Sequence, residues 1–144
     1  MYNRIRIKGA IMILLEWDDP SCTTLRYTFV DPWTWDEYHA TNPQRDAMFA
    51  QTSAIIDLIL DFTHGQHIPE GAMTHFYAAA SWDRPQKGIV AVIGVNTVLR
   101  ILSNIMEKVS PQPRHKLPYI ARDLAAARAI IERAKSNRLS GAAP

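Results

Sequence analysis

Three histidines lie close together in one stretch of this chain. His64 and His67 flank Gly65-Gln66, and His75 follows eight residues on. Asp57, Asp61 and Glu70 stand near them in sequence. Imidazole and carboxylate groups are the side chains that move protons near neutral pH and bind metals. The types are therefore right for chemistry, but the spacing is not. Zinc sites repeat their ligands at short fixed intervals and usually include cysteine; this cluster is loose and has no cysteine. A carboxylate pair needs a nucleophile or a phosphate loop to act on a substrate. No Walker pattern and no Gly-x-Gly-x-x-Gly accompanies Asp57 and Asp61. The expectation is no catalytic residue, no metal and no cofactor, with His64 and His67 as loop and surface histidines.

The elements that position these groups follow from periodicity. Residues 55–62 run Ile-Ile-Asp-Leu-Ile-Leu-Asp-Phe, which predicts a buried strand over Asp57–Phe62, with Ile55 as the alternative start. The polar loop His64–His67 leads to Pro69-Glu70-Gly71, which opens a helix over about Glu70–Ser81. Asp61 sits near the carboxyl end of that strand, where ligands collect in α/β sheets. Upstream, Ile11–Trp17 is a strand candidate, and Asp18-Asp19-Pro20-Ser21 is turn chemistry. Leu25, Tyr27 and Phe29 alternate with Thr24, Arg26 and Thr28, which predicts a strand with one buried face. The two should form an antiparallel hairpin. Thr34 and Glu37 match a capping box, so a helix should run over about Trp35–Gln51, kinked or broken at Asn42-Pro43.

Ile89–Val95 is apolar without alternation, as in a parallel strand covered on both faces. Asn96 or Thr97 caps a helix to about Val109, with Val98, Ile101, Leu102, Ile105, Met106 and Val109 as its apolar stripe. Arg100, Ser103, Asn104, Glu107 and Lys108 form its wet face. Ser110–Lys116 reads as a loop. Leu117–Ala121 is a weak edge strand, because Pro118 cannot donate to a ladder. Asp123 caps a final helix over about Leu124–Ser136.

The order is β-β-α-β-α-β-α-β-α. That is α/β, with a mostly parallel mixed sheet and an N-terminal antiparallel strand. One domain is expected over 10–136, with a basic lead at 1–9 and a small-residue tail at 137–144. Net charge is only +2, which argues against nucleic acid. Yet residues 1–99 carry a balance of −4 and residues 100–144 one of +6. This reads as a solvated basic face. Cys22 is the single cysteine, which suits a reducing compartment, and no run reaches the ~20 apolar residues of a membrane span. The short apolar run Ala10–Leu15 after Arg4, Arg6 and Lys8 is too brief for a secretory leader. A cytoplasmic protein is expected.

This element order, with Asp61-Phe62-Thr63 before a loop and a helix, resembles the STAS domain. That is the fold of bacterial anti-sigma-factor antagonists (SpoIIAA-like). Family members read Asp-Leu-Ser, a short loop, then Asp-Ser-Ser-Gly, whose hydroxyl a partner kinase phosphorylates. Pro69, Glu70, Gly71 and Ala72 stand there in this chain, and Thr74 is the first hydroxyl in the helix. The resemblance implies a non-enzymatic regulatory or protein-interaction module without the phosphoswitch. An unknown protein partner would dock on His64, His67, Glu70, Gly71 and Thr74. Glu70 would stand as a fixed negative charge at a helix N-terminus. The alternative is a small-molecule or lipid-binding domain with an apolar pocket between sheet and helices, near Trp33, Trp35, Asp61 and Phe76. Helix and sheet-edge surfaces leave room for a homodimer.

Overall fold

The computed structural model describes residues 12–109 and 117–141. The expected basic lead, the loop at 110–116 and the end of the tail lie outside them. Five strands form one sheet in sequence order: β1 (Ile13–Trp17), β2 (Thr24–Val30), β3 (Ile56–His64), β4 (Lys87–Ile93) and β5 (Tyr119–Ile120). β1 and β2 pair antiparallel, from Ile13 opposite Phe29 to Trp17 opposite Leu25. The other pairs are parallel. The helices are α1 (Trp35–Ala40), α2 (Asn42–Ala50), α3 (Ala72–Ser81), α4 (Thr97–Val109) and α5 (Leu124–Leu139). The helix expected over Trp35–Gln51 is thus broken at Thr41, with Pro43 in the first turn of α2. Proline is tolerated there because its missing N–H would have no partner in any case. The Thr34–Glu37 capping box forms as read.

Each parallel strand lies beside the one before it, so every crossover steps the same way. Right-handed crossovers then place the connecting helices on one face. Leu25, Tyr27, Phe29, Leu58 and Phe62 of that face pack with Trp33, Trp35, Phe49 and Leu99. α5, which follows β5, covers the other face. There Ala127 and Ile131 meet Ile59, Ile89, Ala91 and Ile93.

Polar contacts also fasten α5, and they use part of the uneven charge. Arg138 makes a bidentate pair with Asp57 at 2.7 and 3.1 Å. Asp57 is fully buried and also accepts the Ile89 N–H at 2.9 Å. Gly88 is glycine because a Cβ there would strike that carboxyl. Arg128 reaches Asp18, which Arg26 also holds. Lys135 bonds the hydroxyls of Thr23 and Thr24. The expected solvated basic face is therefore revised in part, for Arg128, Lys135 and Arg138, while Arg100, Lys108 and Arg133 are exposed. Cations of the last helix neutralise acids of the first strands. α5 also runs past the expected Ser136, because Arg138 is part of this fastening.

Asp19, at the β1–β2 turn, gives a prediction. Burial pushes its carboxyl up, but the Thr23 hydroxyl, the N–H groups of Thr24 and Thr23, and Lys135 together bring it below the ordinary 3.8. A carboxyl lowered by folding adds stability above its unfolded value and loses it as pH falls through the folded one. The thermal midpoint should therefore drop on acidification below pH 3.8, and less so in Asp19→Asn. Melting curves of the two proteins across that range check this.

One helix is turned from its expected orientation. α4 directs Leu99 and Met106 inward, while Val98, Ile101 and Ile105 are 53%, 53% and 42% exposed. The apolar arc is wider than the sheet can cover, and the helix buries only one side of it.

Candidate functional site

The side of the sheet under α3 and α4 is incompletely filled. β4 shows the cause. Ile89, Ala91 and Ile93 are buried beneath α5, whereas Val90 and Val92, facing the other way, are only half-buried. Leu60 of β3 is likewise half-buried. Across from them stand Phe76 and Ala79 of α3 and Leu102 and Met106 of α4. Between the two layers is a partly open cleft of about 120 Å3. Its walls are mostly aliphatic and aromatic.

Polar groups gather at one part of this wall. Tyr27 and Tyr38 line it together with Arg45. Burial pushes the Tyr27 phenol far above its ordinary value, with Tyr38 adding and Arg45 and Thr41 opposing. Burial raises Tyr38 as well, against Arg45. Both phenols are neutral at any physiological pH and serve as hydrogen-bonding groups. Arg45 is itself buried and lies 3.9 Å above the Trp82 ring, with Lys87 5.4 Å from it. A cation over an indole face is held by the ring quadrupole. Lys87 also donates to the Trp82 carbonyl at 2.8 Å.

Of the residues proposed for a ligand, only Phe76 lines this cleft. Trp33 is 2% exposed and buttresses the core from behind. Its ring packs edge-on against Phe29 and Trp35, each at 4.8 Å, and its indole N–H donates to the Gly65 carbonyl at 3.1 Å. Trp35 is 7% exposed, and its N–H donates to the carbonyls of Pro69 and Glu70. Asp61 points to the opposite face, like Asp57, and accepts the Thr63 N–H at 2.9 Å. The cleft residues Leu58, Leu60, Val90, Val92, Leu102 and Met106 carried one readable signal. The chain holds more apolar side chain on β4 and α4 than one sheet face can cover.

The stretch expected to dock a partner is solvent-exposed. His64, His67, Glu70, Gly71 and Thr74 are all on the surface. Two details differ from the sequence reading. His64 ends β3 and is not in a loop. α3 starts at Ala72, so Glu70 precedes the helix and lies outside its first turn. Gly71 takes φ +84, the left-handed region, at the point where the chain swings into α3. What the fold uses of Glu70 is its carbonyl, on Trp35. The backbone N–H of His67 donates to the Asp31 carboxylate at 3.2 Å. His75 does not join His64 and His67; its Nδ1 lies 2.9 Å from Nε2 of His39.

No family model, curated protein or solved structure matches the chain. Among the described residues no helix is long and apolar enough to cross a membrane.

Proposed function

We propose that the chain is a non-enzymatic binding domain whose working part is the cleft between the sheet and α3–α4. Its ligand is a small apolar molecule. The observation that carries this is the half-buried pair Val90 and Val92, opposite Phe76 and Met106 across the 120 Å3 gap. A pocket of about 150 Å3 with similar walls stays dry and takes a benzene-sized guest. A single aromatic ring or a short branched chain therefore suits the space. Tyr27, Tyr38 and Arg45 supply hydrogen-bond donors to orient a polar end.

Ala79→Leu tests this by filling the cleft from α3 with a good helix former. Benzene should shift the methyl resonances of Leu102 and Met106 in the native protein and not in the variant. Native mass spectrometry of protein purified from its own cell should show a small bound molecule. Methyl resonances indifferent to benzene, with no adduct, would overturn the reading.

A second reading is the docking of a protein partner on His64, His67, Glu70, Gly71 and Thr74. What favours it is the exposure of all five. A bound protein in the same spectra, lost in His67→Ala/Thr74→Ala, would select it. The STAS-like assignment belongs with these proposals. It is supported by the order of strands and helices and by Asp61-Phe62-Thr63 at the end of β3. The lone free thiol of Cys22 fits a cytoplasmic setting.

A further inference from the structure

His39 lies in the last turn of α1 and His75 in the first turn of α3. They are 36 residues apart in sequence, and their ring nitrogens face each other at 2.9 Å on an exposed part of the surface. Neither belongs to the cleft wall. We propose that His39 and His75 form a two-imidazole site for a divalent transition cation, of the kind typified by Cu2+ or Ni2+.

The argument is geometric. Imidazole nitrogen binds such cations at about 2.0–2.1 Å. A cation that far from two nitrogens 2.9 Å apart sees them at an angle of about 90°, once each ring turns its lone pair about 45° off the N···N line of the hydrogen bond. That is the angle between neighbouring ligands in square-planar and octahedral complexes, the preferred arrangements of Cu2+ and Ni2+. Tetrahedral zinc would need the nitrogens to spread by about 0.4 Å.

The protons also balance. In the neutral pair one ring donates its N–H to the other. The donor transfers that hydrogen to its outer nitrogen, leaving His39 Nε2 and His75 Nδ1 with free lone pairs and no net proton lost. Preorganisation favours binding as well. His75 lies face to face with Trp35, with ring centres 4.6 Å apart and planes 9° from parallel. Trp35 is in turn fixed by the carbonyls of Pro69 and Glu70. His39 stands at the open side, where the cation enters. No third histidine, cysteine or carboxylate completes the site among the described residues, so water fills the remaining positions. The bound ion bridges α1 to α3.

Titration of the full chain with Ni2+, followed by calorimetry and tryptophan fluorescence, tests the site. One saturable event is expected, with partial quenching from Trp35. His39→Gln and His75→Gln should each abolish both signals. His39 is exposed, so its variant keeps the fold, and circular dichroism verifies that. His64→Gln/His67→Gln should retain both signals. Three results each overturn the proposal: no saturable binding by the native protein, an unchanged isotherm in His39→Gln, or loss of the event in the loop double variant.

Discussion

Arg138→Ala should destabilise the protein by about 3–5 kcal/mol, the cost of stranding a buried charge by removing its partner. Asp57 has no exposure to water, and two of its contacts come from the Arg138 guanidinium. After truncation only the Ile89 N–H still faces it. The loss is a large share of the 5–15 kcal/mol that a domain has in total. Adding Asp57→Asn should restore part of it, because a neutral amide can accept the same N–H without the desolvation cost of a charge. Urea unfolding of the three proteins measures both steps. A loss below about 1 kcal/mol in Arg138→Ala would show that the carboxylate is not held as an ion pair.

Trp33→Ala is the second large effect, again about 3–5 kcal/mol. The indole fills space between Phe29, Trp35 and Phe62 and satisfies the Gly65 carbonyl. Its removal leaves a hole and an unpaired acceptor together. This result separates two roles for the residue. A core role predicts a lower midpoint in chemical denaturation, with guest binding intact in the fraction that stays folded. A ligand-contact role predicts near-normal stability with binding lost.

Several parts of this fold were legible in the residues. Leu25, Tyr27 and Phe29 alternate with Thr24, Arg26 and Thr28 because the second side of β2 is polar, although Thr24 and Thr28 are buried there too and the expected single buried face is corrected. Thr34 and Glu37 declared their helix start because capping is local chemistry. Pro43 marked a break because its ring cannot sit inside a continuous helix. The pairing of Arg138 with Asp57 could not be read. It joins residues 81 positions apart, and nothing local to either one signals the other. The rotation of α4 was hidden for a different reason. Its apolar residues cover so wide an arc that several orientations bury a plausible stripe. Trp33 and Trp35 could be read either as core or lid packing or as a ligand wall, since a tryptophan in a wall and one behind it look alike in sequence; the structure puts both in the core. An apolar pocket between sheet and helices could be expected, but its lining could not, because which side chains border a gap depends on how the layers pack.

The fastening of α5 has a consequence for how the protein is made. Ribosomes deliver the chain N-terminus first, so β1 to β4 emerge well before Arg128, Lys135 and Arg138. Until then the nascent sheet holds Asp57 and Asp18 without their α5 guanidinium partners, and Ile59, Ala91 and Ile93 without their lid. A half-made chain is thus both acidic and sticky on the same side. Synthesis of α5 is the step that covers this side of the sheet, and a pause just ahead of residue 124 is where chaperone dependence should be greatest.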